Sequence, residues 1–249
     1  MSRGTIVITG ASRGIGAATA RMAAARGYAV CVNYHSNADL AARVVADIEA
    51  AGGRAIAQQA HVADEAAVIA MFDRAEAELG PLTALVNCAG LSGGRHAFAD
   101  LDMANLAHVF SVNVFGAFLC AREAMRRMDP AGGGQGGGIV NLGSTAGTTG
   151  GFQLTAYAAS KAALNTFTIG LAREAAPMGI RVNIVCPGIV DTDQPELQLD
   201  QPGKREAIER TIPLGRMGRP EEAAETILWL LSDESSYVAG ANIVVSGAR

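Results

Sequence analysis

The order in which this chain alternates short β-rich runs with helix-length segments restricts its fold more than any other feature. The runs are 5–9 (TIVIT), 29–34 (AVCVNY), 54–59 (RAIAQQ), 82–90 (LTALVNCAG), 138–144 (GIVNLGS), 180–188 (IRVNIVCPG) and 241–247 (ANIVVSG). Helical patterns fall at about 14–27, 38–51, 64–79, 101–128, 153–176 and 220–232. Adjacent parallel strands need a connection of a dozen residues or more, and a helix fills it. The alternation therefore predicts a doubly wound α/β fold, a mostly parallel seven-stranded sheet with helices on both faces. No composition break interrupts it, so residues 1–249 read as one domain. The glycine run 131–138 lies inside the pattern and reads as a surface loop. Residues 192–214 are polar and proline-bearing, without a strong period.

Charge and cysteine usage narrow the function classes. The net charge is −4 with no basic run, which argues against nucleic acid and anionic membrane as partners. No apolar run is expected to reach the length of a membrane span. The first apolar run is strand-length and ends in a glycine loop, unlike a secretory signal. The four cysteines, Cys31, Cys88, Cys120 and Cys186, are scattered through apolar runs with no metal-ligand spacing. They read as buried reduced thiols in a cytoplasmic protein, with no metal site.

The stretch TGASRGIG (9–16) directly follows the first strand and opens a helix. In that context Gly10 allows a tight turn, while Gly14 and Gly16 admit a pyrophosphate to the helix N-terminus, where free N–H groups favour anions. This is a Rossmann-like dinucleotide site. The end of the second strand selects the nucleotide, because a carboxylate there holds the adenosine ribose of NAD and repels the extra phosphate of NADP. Here it reads Asn33-Tyr34-His35-Ser36, with no carboxylate before Asp39, and Arg13 supplies a cation. The reading is NADPH/NADP, with NAD less favoured.

The chain has eighteen arginines and two lysines, Lys161 and Lys204. Lys161 sits four residues after Tyr157 in TAYAASKAAL, so both lie on one helix face. An ammonium beside a phenol favours the phenolate and tunes the tyrosine for proton transfer. Alone, the pair reads as a half-buried phenol beside a solvated lysine.

Taken together, TGASRGIG, NCAG (87–90), Asn113 in VFSVNVFGA, Ser144 in VNLGS, YAASK (157–161), CPGIVDT (186–192) and the stretch 213–240 resemble the short-chain dehydrogenase/reductase family. The resemblance runs from about residue 4 to residue 247. It implies Tyr157 as general acid, Lys161 as ribose ligand and tuner of the phenol, Ser144 as holder of the substrate oxygen, and Asn113 as support for a proton-relaying water. It implies cofactor contacts from Gly10, Ser12, Arg13, Gly14, Ile15, Gly16, Asn33, Tyr34, His35, Ser36, His61, Val62, Asn87, Ala89, Gly90, Tyr157, Lys161, Pro187, Gly188, Ile189 and Thr192. The activity it implies is reversible NADPH-dependent reduction of a small-molecule carbonyl, similar to 3-oxoacyl-carrier-protein reductases or glucose dehydrogenase-like enzymes.

Three positions depart from the family pattern. Cys88 stands where an asparagine is usual, His61 where an aspartate contacts the adenine, and Ser246-Gly247-Ala248 where Asp-Gly-Gly is usual. A catalytically idle NADP(H) sensor or scaffold is the competing reading, against which the retained Asn113, Ser144, Tyr157 and Lys161 weigh. The segments 91–98, 145–154 and 189–214 are expected to line the substrate pocket, with 189–214 as a mobile lid. The helices near 101–128 and 153–176 carry apolar residues on more than one face, including Phe110, Phe115, Phe118, Phe167 and Ile169, and the resemblance implies that they pair in a homotetramer.

Overall fold

The computed structural model describes residues 3–192, 199 and 201–249. Among these, seven strands form one parallel sheet in the order β3-β2-β1-β4-β5-β6-β7. They are β1 (Thr5–Ile8), β2 (Ala29–Tyr34), β3 (Arg54–Gln59), β4 (Leu82–Asn87), β5 (Gly137–Leu142), β6 (Ile180–Pro187) and β7 (Asn242–Val245). Every neighbouring pair is parallel. The expected fold class is what the chain adopts.

Strand periodicity divides the core into two layers. Ile6, Ile8, Val30, Val32, Val86, Val140 and Val185 point to one face. There they meet α1 (Gly14–Ala25), α2 (Ala38–Ala50) and α9 (Pro220–Leu230). Val7, Cys31, Leu85, Ile139 and Val182 point to the other, against α3 (Glu65–Leu79), α5 (Gly116–Met128) and α7 (Thr155–Ala175). Local signals set the helix ends. Asp64 caps α3, its carboxylate accepting from the Ala67 N–H at 3.1 Å, and Gly80 stops that helix. Pro220 opens α9, and the Glu222 carboxylate accepts from the Arg219 N–H at 2.7 Å.

Four sequence expectations are refined or corrected. The helix expected over 101–128 is α4 (Met103–Phe110) and α5 joined through a π-helical turn, Ser111–Phe115. The run Met103–Met128 is also long and apolar enough to span a membrane by length and composition, which corrects the expectation that no run is. Here it packs beside β4, α3 and α7. The loop 131–138 is shorter than expected, because Gly137 and Gly138 already belong to β5. Residues 204–209, read without regular structure, form the short helix α8 (Lys204–Glu209). The remaining helix, α6 (Ala146–Thr149), follows β5.

The strand order reverses between β1 and β4. The crevice beyond their carboxyl ends is where open α/β sheets bind ligands. It is bordered by the β1–α1 loop, the exit of β4, the end of β5 and the start of α7.

Candidate active site

The glycine loop is built by close approach. Gly10 has φ of 63°, and a Cβ there would lie 2.8 Å from Ala89 Cα. A Cβ on Gly16 would lie 2.5 Å from the Gly10 carbonyl oxygen. The loop thus folds back on the start of α1 and against the exit of β4, which only glycines permit. Thr9 fastens the junction: its buried hydroxyl oxygen accepts from the Cys88 and Ala89 N–H groups, each at 3.0 Å. Arg13 precedes α1 with no side-chain cap, and the first turn carries no acidic residue. The amide end of α1 is therefore left for an anion. Ser12, Arg13 and Gly14 reach the surface of this cradle, and Ile15 packs into the core beneath it. A side chain on Gly14 would meet Thr192 at 3.4 Å, so the loop after β6 borders the same cradle. The chain's glycines and helix end thus fit a dinucleotide pyrophosphate.

Two of the expected cofactor contacts have buried side chains. Asn33 is 1% exposed. Its Oδ1 accepts from the Gly10 N–H at 3.2 Å, and its Nδ2 donates to the carbonyls of Gln58 and Ala60 at 3.2 and 3.1 Å. Its amide braces the cradle from beneath. Asn87 is likewise buried, donating to the Ala117 carbonyl at 3.2 Å and to Asn141 Oδ1 at 2.9 Å. Tyr34, His35 and Ser36 emerge at the rim, as does His61 from the end of β3. Val62 is buried against Gly116 of α5. Pro187 accepts from the Thr145 N–H at 3.0 Å, and Gly188 packs on Ser246. Ile189 accepts from the Gly218 N–H at 3.0 Å.

The proton-transfer group assembles around α7. Lys161 is 4% exposed, donates to the Leu142 carbonyl at 2.6 Å, and holds its ammonium 5.7 Å from the centre of the Tyr157 ring. Burial pulls its pKa down to about 8, with the Cys88 and Cys186 thiols acting in the opposite sense. Asn113, within the π-helical turn, brackets Leu91: its Oδ1 accepts from the Leu91 N–H and its Nδ2 donates to the Leu91 carbonyl, each at 2.9 Å. The same Nδ2 donates to Ser160 Oγ at 2.9 Å, and that hydroxyl donates to the Tyr157 carbonyl at 2.7 Å. A side chain on Gly90 would lie 3.3 Å from Asn113 Oδ1 and 3.4 Å from Lys161 Nζ. Ser144, at the end of β5, accepts from the Ala146 N–H at 3.2 Å and opens α6. Gly147 of α6 abuts the Lys161 backbone, its Cβ position 2.9 Å from that carbonyl carbon. The lysine is therefore not the solvated one of the blander reading.

A sequence family described as Enoyl-(Acyl carrier protein) reductase matches residues 10–247. The chain is 44% identical, over 98% of each chain, to the uncharacterised oxidoreductase YgfF of Escherichia coli (strain K12). It is 41% identical to cis-4-hydroxycyclohexanecarboxylate dehydrogenase of Sinomonas cyclohexanicum, over 97% of this chain and 94% of that one. A solved short-chain dehydrogenase/reductase from Serratia marcescens superposes with a TM-score of 0.90 at 33% identity, covering 99% of this chain and 98% of that one. The chain belongs to the short-chain dehydrogenase/reductase family. As a member, it is an oxidoreductase of alcohol and carbonyl groups that works with a nicotinamide cofactor.

Within this short-chain dehydrogenase/reductase, the sequence left several supporting residues unnamed. Asn141 Nδ2 donates to Thr168 Oγ1 at 2.9 Å, and that hydroxyl donates to the Leu164 carbonyl at 2.7 Å. With Asn87 they form a buried polar ladder from β4 through β5 to α7, the helix that carries Tyr157 and Lys161. The available signal was a single asparagine in the otherwise apolar run GGIVNL. Ser160, between the tyrosine and the lysine, could have been singled out as a hydroxyl in an alanine-rich helix. The Cys88 thiol is pushed up to about 11 by burial, so it is a packing residue and a poor nucleophile.

Proposed function

We propose that the chain reversibly reduces a small-molecule carbonyl with NADPH, Tyr157 giving the proton. The observation that carries this reading is the buried Lys161 ammonium beside the Tyr157 ring. A nearby cation stabilises the phenolate and so eases proton release from Tyr157. The Ser144 hydroxyl holds the substrate oxygen and, with Tyr157, stabilises charge developing there. Asn113 fixes Leu91 and Ser160, and through them the wall of the pocket and the first turn of α7. It thereby supports the path by which protons reach Lys161. The bound nicotinamide supplies the hydride. Arg13 and the lack of a carboxylate before Asp39 support NADP(H) over NAD(H). Cytoplasmic residence and a homotetramer complete the reading.

Segment 189–214 is proposed as the lid. Of it, 193–198 and 200 lie outside the described residues, while its flanks are tied down. The Asp191 carboxylate accepts from the Arg205 guanidinium at 2.8 and 3.1 Å, and Ile212 is buried against Gly247.

The test follows NADPH absorbance with a panel of cyclic ketones, diketones and acetoacetyl esters, alongside calorimetric titration of NADPH and NADH. Turnover is expected in the native enzyme. Tyr157→Phe should bind NADPH normally and lose about two to four powers of ten in rate. Cofactor binding without turnover across the panel would favour the idle sensor. Equal affinity for the two cofactors would sink the NADP assignment.

A further inference from the structure

His35 and His61, one at the end of β2 and one at the end of β3, touch edge to face, their ring centres 4.6 Å apart at 79°. The adjoining backbone is fixed. Gln59 Nε2 donates to the His35 carbonyl at 2.9 Å, and the Ala60 N–H donates to the Tyr34 carbonyl at 3.0 Å. The same strand end is joined to the glycine loop, where the Ala11 N–H donates to the Asn33 carbonyl at 2.8 Å. A dinucleotide whose pyrophosphate rests on that loop carries its adenosine ribose over the end of β2. His35, at the end of β2, therefore stands where a 2′-phosphate would be read, with the His61 ring against it.

We propose that His35 and His61 form a proton-linked reader of the cofactor's 2′-phosphate, His35 carrying the charge and His61 positioning its ring. The proposal rests on the NADP(H) reading above. Geometry decides which ring takes the proton. His61 Nδ1 accepts from the Ala63 N–H at 3.2 Å, so protonating that nitrogen would set two N–H groups against each other. Burial, and then His35 and His108, hold the His61 pKa low, with Asp64 opposing them. His35 is exposed at the rim.

The other charged groups at the near ends of the surrounding elements are Arg13 of the glycine loop, Asp39 in the first turn of α2, Asp64 and Glu65 at the start of α3, and His108 in the last turn of α4. The Asp64 carboxylate already accepts the Ala67 N–H, and Glu65 pairs with Arg122. Arg13 supplies a charge that pH does not alter, whereas an imidazole ordinarily titrates near 6.5. A phosphate bound to protonated His35 favours that proton, so affinity must fall as pH rises through the histidine range. The phosphate's own second ionisation, near 6, acts in the opposite sense, so the variant without the imidazole must be measured beside the native protein.

The probes are adenosine 2′,5′-bisphosphate and adenosine 5′-monophosphate, titrated calorimetrically into the full chain from about pH 6 to pH 8, spanning the imidazole range. Native protein should lose about fivefold to tenfold of its preference for the bisphosphate across that range, the scale of one linked proton. The His35 ring resonance should titrate at higher pH with bisphosphate bound. His35→Gln should keep its monophosphate affinity and lose the decline. His61→Phe, which preserves ring packing, should keep the decline, and His61→Ala should lose it. Should His35→Gln show the native pH dependence while bisphosphate is still preferred, this inference falls and the NADP assignment stands. If native protein shows no preference for bisphosphate at any pH, the NADP assignment falls and takes the inference with it.

Discussion

Lys161 carries a charge where the interior resists one. Its amine has the Leu142 carbonyl as acceptor, and the groups that act to raise its pKa are the Cys88 and Cys186 thiols, not a carboxylate. Burial leaves the pKa at about 8 against an ordinary 10.5. The sign of the consequence follows from proton linkage. Between those two values the unfolded chain binds the proton and the folded chain does not, so this residue makes stability rise with pH through that window and imposes its full penalty below it. Lys161→Met should therefore raise stability at neutral pH, on the order of 2–3 kcal/mol before the lost hydrogen bond is deducted. The gain should fade toward pH 10.5. The same variant should be catalytically poor, with any remaining basic limb of its pH–rate profile moved upward. Urea unfolding of both proteins across this range checks the first part. A variant less stable than native at neutral pH would show that the amine is not under strain. A more stable variant would instead mean that function has placed a destabilising group at the site, as stability–activity trade-offs lead one to expect.

The elements hold this residue in place through buried amides. Asn141 lies at the centre of the ladder joining β4, β5 and α7. Asn141→Leu would strand one Asn87 N–H and remove the donor to Thr168, at a cost of about 1–3 kcal/mol for buried polar groups left without partners. Because α7 would lose its register on the sheet, kcat should fall more than cofactor affinity. A double-mutant cycle with Thr168→Val should show coupling of about 1 kcal/mol, and simple additivity would count against the ladder. Such internal support is what the sequence conceals. The strands were legible because β-branched apolar runs are bounded by glycine, and Lys161 was legible because lysine is rare here. Asn33 and Asn87 were read as ligand contacts because their positions along the chain are right. Only the packed backbone reveals that their amides face inward. The π-helical turn at Asn113 escaped for another reason: one additional residue in a helix scarcely alters a 3.6-residue period. The six residues of α8 are too few and too charged to display any period.

At the scale of the whole molecule, the outward sides of α5 and α7 present an apolar surface. Phe115 is 58% exposed, Phe118 46% and Ile169 45%, on the outward sides of the π-helical turn, α5 and α7. Phe118 stacks on Phe167 at 3.8 Å across the two helices, so the patch is one continuous surface. Arg122, Arg126 and Glu174 stand along its edge, offering charge of both signs. A contiguous apolar patch with a polar rim marks an association surface. A two-fold axis through it would set each subunit's patch against the same patch of its neighbour, a closed contact. The native chain is expected to sediment as a tetramer at micromolar concentration. Phe118→Asp combined with Ile169→Asp should split the assembly along this face, since each side would bury unpaired carboxylates. Ile169 lies about three turns along α7 from Tyr157 and Phe118 stacks on Phe167, so the separated halves should still bind the cofactor. The halves should sediment as dimers, and their thermal stability should rise less steeply with protein concentration than that of the native tetramer. A native chain that sediments as a monomer would remove the oligomer from the reading, and the patch would then require a different partner.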